Sequence, residues 1–351
     1  MSSRILKSTY ATIGLIVSLL FITACSTGFA EKKIAELGYA ESDNPESIFP
    51  GQISNLSGAQ IASQIHETLF HINTETQQIE PAIVGKWVNS TDNSQYVFYL
   101  RDSVFFHKSD VFGSLQTRKL VALDVIESIK HYIWSCKIQN RPLGFLSEVK
   151  GVQEFYDSCS KQKMATESIE GIVSMNDLIV RFDLDNPSNL FLYGFANIDL
   201  AIMPQEALQE YGSENLIGCG KYSIQKRDMS DDAWILLANP FYSVGDGTLP
   251  YFDQVKIYFN LSLDRELQLF SNGTLSFVQN IAQDHVNRFM EQNVDRFQKI
   301  NPDFVIIQRP GQENSDLFFM CESSLLGLDF NTFGIIDFSV LSLKEEEHSE
   351  Q

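Results

Sequence analysis

Six histidines, His66, His71, His107, His131, His285 and His348, are the first residues to test for chemistry. His66-Glu67 followed by His71 comes near the H-E-x-x-H zinc pattern, in which two imidazoles one helical turn apart share an ion and the glutamate activates its water. Here the second histidine falls one position late. At about 100° per residue, a five-residue step turns the rings about 140° apart, so a shared ion is not expected. His107 follows Phe105-Phe106 and reads as a strand end rather than a general base. Gly218-Cys219-Gly220 lacks the third glycine and the Lys-Ser/Thr that cradle a phosphate, and no G-x-S-x-G, P-loop or G-x-G-x-x-G stretch occurs. Asp231-Asp232, or Asp183 with Asp185, supply carboxylates, but nothing fixes the separation that glycoside hydrolysis demands. The expectation is a protein with no metal, no cofactor and no enzymatic activity.

The chain has 351 residues, 44% hydrophobic and 20% charged, with 45 acids against 26 bases and a formal net charge of −19. Such a length allows roughly two domains with a sizeable core. The acid excess argues against nucleic acid as a partner, because phosphate binding relies on Lys and Arg displacing counterions. It also argues against a polybasic clamp on anionic lipid, so any membrane attachment must come from a discrete segment. Residues 10–23 (YATIGLIVSLLFIT) are such a segment, uncharged and preceded by Arg4 and Lys7. The run is shorter than the roughly 18 to 20 apolar residues of a spanning helix and reads as a secretory signal, with a transmembrane anchor as the alternative.

Ile22-Thr23-Ala24-Cys25 resembles the lipobox of bacterial lipoproteins. That resemblance implies cleavage before Cys25 and lipid on its sulfur, with a signal peptide over residues 1–24. Acyl chains bury about 0.8 kcal/mol per CH₂, so several on Cys25 would hold the protein at a membrane surface. Loss of Arg4 and Lys7 takes the net charge from −19 to −21. Outside the cytosol a disulfide is allowed, and Cys136 with Cys159 is the first pair to test. No CxxC occurs, which sets aside a thiol redox motif or a cysteine zinc site.

The positioning elements follow from periodicity. Residues 57–70 place Ile61, Ile65 and Leu69 on one helical face, with Ser57 as cap. Residues 96–101 and 104–107 are β-branched and aromatic, as in a hairpin or two short strands. Residues 122–134 return to helical spacing through Val125, Ile129 and Ile133. Residues 204–211 read as a short helix opened by Pro204 and closed by Gly212. Strands are expected at 221–224, 234–238 and 255–259, and helices at 264–270 and 284–297. No repeat of 20 to 50 residues is visible. Residues 344–351 (KEEEHSEQ) form a polar tail with nothing to bury.

The order of short segments resembles the oligopeptide- and dipeptide-binding lipoproteins of ABC importers, solute-binding protein family 5. Ser47-Ile48-Phe49-Pro50 stands for S-L-D-P, and Glu67-Thr68-Leu69 for Y-E-G-L. Ile79-Glu80-Pro81-Ala82 with Gly85-Lys86-Trp87 follows I-x-P-x-L-A-x-x-W, and 96–102 (YVFYLRD) follows Y-T-F-x-L-R-D. Val104-Phe105-Phe106-His107 matches V-x-F-H, and Ala122, Asp124-Val125 and Ser128 match A-x-D-V-x-x-S. Gly218-Cys219-Gly220-Lys221-Tyr222 stands for G-T-G-P-Y, Asn239-Pro240-Phe241-Tyr242 for N-P-x-Y, and Phe330-Asn331-Thr332 for L-x-F-N-T. Departures are also present. Val121 replaces the capping Thr, Leu123 replaces a Glu, Ser276 stands where G-x-I-D has its Asp, and the loop before Val121 is roughly eight residues longer, which loops tolerate. The match stops near Thr332, whereas family members continue for well over a hundred residues.

The resemblance implies an α/β type II periplasmic-binding architecture, with mixed sheets flanked by helices and a third lobe largely missing. A first lobe over 25–45 and 166–270, an inserted second lobe over 46–165 and a truncated start of a third over 271–351 are expected. The implied function is a lipid-anchored component of a peptide ABC importer, held at the periplasmic or outer face of a bacterial membrane through Cys25. Its partners would be short peptides and ABC permease subunits. Phe49 and Pro50 lie where the family chain passes the ligand cleft. The alternatives are a truncated, transport-inactive relative with at most an envelope interaction role, and an exported hydrolase that has no motif behind it.

Overall fold

The computed structural model describes residues 35–73, 76–212, 216–228, 233–244, 249–298, 304–308 and 316–320. The signal segment with Cys25, Asp231-Asp232, Cys321, Phe330-Asn331-Thr332 and the tail at 344–351 lie outside the described residues. The elements run β1 (Glu36–Glu41), α1 (Leu56–Ile65), β2 (Phe70–Ile72), β3 (Ile79–Pro81), β4 (Val84–Asn89), β5 (Gln95–Leu100), α2 (Ala122–Gln139) and α3 (Val152–Ser158). There follow β6 (Ile172–Asn176), β7 (Ile179–Asp183), α4 (Gln205–Tyr211), β8 (Tyr222–Asp228), β9 (Ala233–Ala238) and β10 (Gln254–Phe259). The last are α5 (Leu263–Ser271), β11 (Phe277–Ile281), α6 (Gln283–Gln292), α7 (Val294–Phe297), β12 (Phe304–Gln308) and β13 (Asp316–Met320).

Two four-stranded sheets organise the chain. The first has the order β1-β10-β9-β8, with β1 parallel to β10 (Tyr39 opposite Ile257) and the other pairs antiparallel. One face of it packs on α1, so that Ile61, Ala62 and Ile65 close a core with Leu37, Tyr39, Tyr222, Leu236, Val255 and Ile257. The second sheet has the order β4-β5-β7-β6 and is wholly antiparallel. It draws its hairpins from either side of residue 165, since β5 pairs with β7 (Phe98 opposite Val180). Its core combines Val125, Ile129 and Ile133 of α2 with Phe98, Phe182, Phe191 and Phe195, whose rings meet edge-on or tilted at 4.9–5.6 Å. A third sheet, β11-β13-β12, goes with α5 and α6, which contribute Leu269, Phe270, Val286 and Phe289 to its core. β1 approaches β11 through Ser276, whose N–H donates to the Gly38 carbonyl at 2.7 Å and whose Oγ accepts the Gly38 N–H at 3.2 Å. A side chain at Gly38 would meet the Thr274 carbonyl at 2.1 Å, so this approach requires glycine.

Several expectations need correction. The helix expected over 57–70 ends at Ile65, with Asn55 rather than Ser57 as its cap. His66 is extended, and Leu69 belongs to the core of the second sheet instead of continuing the face of Ile61 and Ile65. Residues 104–107 form no strand; they contribute only an isolated bridge between Phe105 and Lys119, while β5 pairs with β4 and β7. The helix expected over 284–297 breaks at Asn293 into α6 and α7. Helix α2 runs on to Gln139 and is opened without a capping side chain at Val121; the Asp124 carboxylate accepts the Val121 N–H instead, at 2.9 Å. No helix of the described residues is long and apolar enough to cross a membrane.

Candidate functional site

The chain leaves the first core at the end of α1, passes His66-Glu67-Thr68 and enters the second core at Leu69. All three crossing residues are buried. The return to the first sheet, Gly218-Cys219-Gly220, lies directly on this crossing, with the Gly220 N–H donating to the Ile65 carbonyl at 2.9 Å. A side chain on Gly218 would stand 2.1 Å from the Ile65 carbonyl oxygen, and one on Gly220 2.6 Å from that of Gln64. Both glycines therefore serve close backbone approach, not phosphate binding.

His107 holds the same turn through three hydrogen bonds. Its backbone N–H donates to the Gly218 carbonyl at 2.8 Å, its Nδ1 accepts the Gly218 N–H at 3.3 Å, and its Nε2 reaches the Gly220 carbonyl at 3.0 Å. Those partners assign the proton to Nε2, since one ring nitrogen faces a donor and the other an acceptor. Asn239 Nδ2 donates to the same Gly220 carbonyl at 2.9 Å, and Asn239 Oδ1 accepts the Phe241 N–H at 3.0 Å, which folds Asn239-Pro240-Phe241-Tyr242 into an Asx turn. That turn delivers the Tyr242 hydroxyl to Glu67 Oε2 at 3.0 Å, while Glu67 Oε1 accepts the Thr68 N–H at 3.1 Å and pairs with His71 Nε2. Burial pushes His66 down to about 3, aided by the nearby His107, and His107 down to about 4, while it drives the Cys219 thiol well up. Glu67, His107, Gly218–Gly220 and Asn239–Tyr242 come from four separate stretches and make one hydrogen-bonded junction.

A second set of contacts fixes α2 to the start of α4 and the segment before it. Arg118 donates to both oxygens of Asp124 at 2.8 and 2.6 Å and to Glu206 Oε1 at 2.8 Å, and its guanidinium lies 5.0 Å from the Phe106 ring and 5.4 Å from Phe112. Asp124, fully buried, also accepts the Gln205 N–H at 3.1 Å. Burial alone would raise the Glu206 carboxyl; bonding and charge from Arg118 bring it below the usual range. One turn along α2, Ser128 Oγ accepts the Met203 N–H at 2.9 Å.

Phe49 and Pro50 are placed in a buried turn. Phe49 packs against Met203 and Leu208, and its carbonyl accepts the Gln52 N–H at 2.9 Å. Gly51, at φ +85, closes the turn; Asp199 Oδ1 accepts its N–H at 3.1 Å, and Asp199 Oδ2 pairs with Arg141 at 2.9 Å. The structure does not bring Cys136 and Cys159 into a disulfide: both are buried free thiols. Cys136 lies on α2 beside Tyr132, while the Cys159 sulfur accepts the Ala165 N–H at 3.3 Å. His66 is buried, whereas His71 is half-exposed and paired with Glu67. Among the described residues no group of three or more His, Cys, Asp or Glu is arranged to hold a metal ion.

Ligands of open α/β sheets bind beyond the carboxyl ends of the strands. In the first sheet that end lies where β1 stops at Glu41 and α1 begins. The Ser57 hydroxyl donates to Glu41 Oε2 at 2.9 Å, and burial raises the Glu41 carboxyl. Asn55 caps the helix through the Gly58 N–H at 3.0 Å and holds the Asn44 carbonyl at 2.8 Å. Leu56, 58% exposed at the first helical position, and Ser54 present the accessible surface there. β1 itself carries no alternating pattern, since five of its six residues are buried, so the sequence does not mark this end of the sheet.

The family model for bacterial extracellular solute-binding proteins, family 5 Middle, matches residues 78–323. Di/tripeptide-binding protein 4 of Pseudomonas aeruginosa is 26% identical over 268 residues, which cover 71% of this chain and 45% of that protein. Heme-binding protein A of Haemophilus influenzae is 26% identical over 198 residues, 52% of this chain and 33% of that one. Among solved structures, Listeria monocytogenes OppA bound to peptide is similar with a TM-score of 0.59 at 16% identity, covering 80% of this chain and 54% of its own. The Escherichia coli murein tripeptide binding protein MppA gives 0.57 at 17% identity, covering 78% and 50%. The chain thus spans between a third and about half the length of the relatives it matches, and its mixed sheets and helices share the periplasmic-binding fold of these neighbours.

Proposed function

The chain belongs to the bacterial extracellular solute-binding proteins, family 5, and from that premise we propose that it binds short peptides for delivery to the permease of an ABC importer. The observation that carries this reading is the junction itself. Four separated stretches that resemble segments of the peptide-binding members meet there through hydrogen bonds and tie two sheets of this chain together. A peptide would lie at the carboxyl end of β1 and the start of α1, its backbone groups paired as in strand addition, which gives affinity with little side-chain selectivity. Hinge closure about the crossings would then bury it. The protein would perform no bond chemistry: the histidines of the junction are buried and engaged with backbone or packed out of reach of solvent.

Attachment to the outer face of the membrane would be through lipid on Cys25, a reading supported by Ile22-Thr23-Ala24-Cys25 behind the apolar run. Metabolic labelling with a palmitate analogue in a bacterial host tests it. Label on the wild type that disappears in Cys25→Ser supports the anchor, and an unlabelled wild type refutes it. Native mass spectrometry of the purified chain with a mixture of di- to pentapeptides tests ligand class. Adducts at peptide masses support the reading, while a spectrum of unadducted protein at millimolar peptide opposes it.

A further inference from the structure

His66 and His107 both meet the Gly218-Cys219-Gly220 turn, His66 where a side chain on Gly218 would stand and His107 through hydrogen bonds to Gly218 and Gly220. Their relative exposures are 1% and 4%. Among the described residues neither ring nitrogen of His66 has a hydrogen-bond partner, and a side chain at Gly218 would lie 2.8 Å from His66 Nδ1, so the turn is pressed onto this ring. His107 holds the same turn with both nitrogens, one as donor and one as acceptor. Charged and titratable groups come from each surrounding segment. Glu67 lies on the crossing itself, His71 on β2, Cys219 and Lys221 on the turn, Tyr242 on the Asx turn, and Asp124 of α2 acts on Cys219 through its charge. The Glu67 carboxylate is engaged by Thr68, His71 and Tyr242, the Lys221 ammonium lies 5.6 Å from the Tyr242 ring, and no carboxylate bonds to either imidazole of the pair among the described residues.

We propose that His66 and His107 form an acid-sensitive clasp on the Gly218–Gly220 turn, which loosens the junction between the two sheets when protons are taken up. The chemistry is a proton equilibrium. A proton added at His107 Nδ1 converts the acceptor of the Gly218 N–H into a donor, so that bond is lost and two N–H groups face each other. A proton on His66 places a charge where neither nitrogen has a partner. In both cases the protonated ring is stable only when the turn moves away and water reaches it. Opening is therefore linked to pH. An imidazole that is neutral in the closed junction and recovers its ordinary pKa near 6.5 when open favours opening by about 30-fold between pH 7.5 and pH 5.0. The sign follows from the depressed closed-state values: stability is complete above about 6.5 and is lost as pH falls toward 4. This inference goes beyond peptide binding and does not depend on it.

Hydrogen–deuterium exchange of the full chain, read on peptides covering Gly218–Gly220 and on peptides from α2, tests the clasp. After correction for intrinsic rates, the turn should lose protection by a few hundred-fold or more between pH 7.5 and 5.0, with α2 changing far less. His66→Leu removes no hydrogen bond, so it should keep protection at pH 7.5 and reduce the acid effect to about 30-fold. Equal protection of the turn at both pH values overturns the proposal, as does an acid effect unchanged by His66→Leu. Should that variant fail to fold, NMR titration of the wild-type histidines decides: C2–H signals of His66 and His107 that stay neutral to below pH 5 support the clasp, and titration of both near 6.5 in the folded chain refutes it.

Discussion

Replacing Asp124 tests whether the contacts around α2 are energetically as central as their geometry implies. The carboxylate is fully buried and accepts four N–H groups: two from Arg118 and one each from the Val121 and Gln205 backbones. Removing one partner of a buried ion pair costs about 3–5 kcal/mol. Arg118 keeps Glu206, and its side chain is 20% exposed so that water can reach it, which points to the lower end of that range. Loss of the cap at Val121 adds about 1 kcal/mol. Asp124→Ala is therefore expected to cost about 4 kcal/mol, a large part of the roughly 5–15 kcal/mol of a folded domain. Asp124→Asn preserves shape and an acceptor oxygen while removing the charge, and should cost about half as much. Glu206→Gln, at a side chain 38% exposed, should cost about 1 kcal/mol or less. Urea unfolding at pH 7 and 25 °C, followed by tryptophan fluorescence, measures all three, and Asp124→Ala should lower the midpoint by roughly 1 to 2 M. An effect of Asp124→Ala below 1 kcal/mol, or a larger effect from Glu206→Gln than from Asp124→Asn, would refute the assignment.

Further consequences are as direct. Gly220→Ala places a methyl within 2.6 Å of backbone on α1 and should destabilise by about 2 kcal/mol or more, whereas Ala at Gly144, where nothing lies within 4 Å, should pay only the strain of its positive φ; thermal melts that rank the two the other way would contradict the close approach. Tyr242→Phe removes a bond to a buried carboxylate and should cost about 1.5–3 kcal/mol by urea unfolding, and a neutral result would mean that Glu67 is satisfied without it. Cys136, Cys159 and Cys219 should resist a thiol reagent in the folded chain and react on unfolding without reductant; a mass two units low that is restored by reductant would show a disulfide instead.

Local periodicity located α2, α4, β5, β9 and β10; β5 and β10 bury alternate residues, and α2 buries Val125, Ile129 and Ile133 in a single core. It failed where a stretch serves two cores. Ile61, Ile65 and Leu69 read as one helical stripe, yet the first two close the first core and Leu69 the second, so the helix ends between them. β4 was invisible as a strand because Gly85, Lys86, Val88 and Asn89 face solvent and its pairing is decided by β5. In the candidate site, family-like order picked out Glu67, His107, Gly218–Gly220 and Asn239–Tyr242 without indicating why these types recur. The physical reason is three-dimensional: backbone passes within van der Waals contact of backbone, and His107 and Tyr242 find their partners across a hundred residues or more. His66 had looked like half of a metal motif, and its role as packing against Gly218 carries no sequence signal at all. Phe49 and Pro50 were expected along the cleft, and the structure seats them in a buried turn where Asp199 holds Gly51 and Arg141, with Ser54 and Leu56 exposed a few residues on.

Calorimetric titration of the purified chain with short peptides is the most direct test of peptide binding. Saturable heat with a dissociation constant near 1 μM, about −8 kcal/mol, accompanied by a rise in melting temperature and weakened by Leu56→Asp at the exposed start of α1, is the predicted result. No heat and no melting shift with any peptide from two to five residues, for a chain that melts cooperatively, would contradict it.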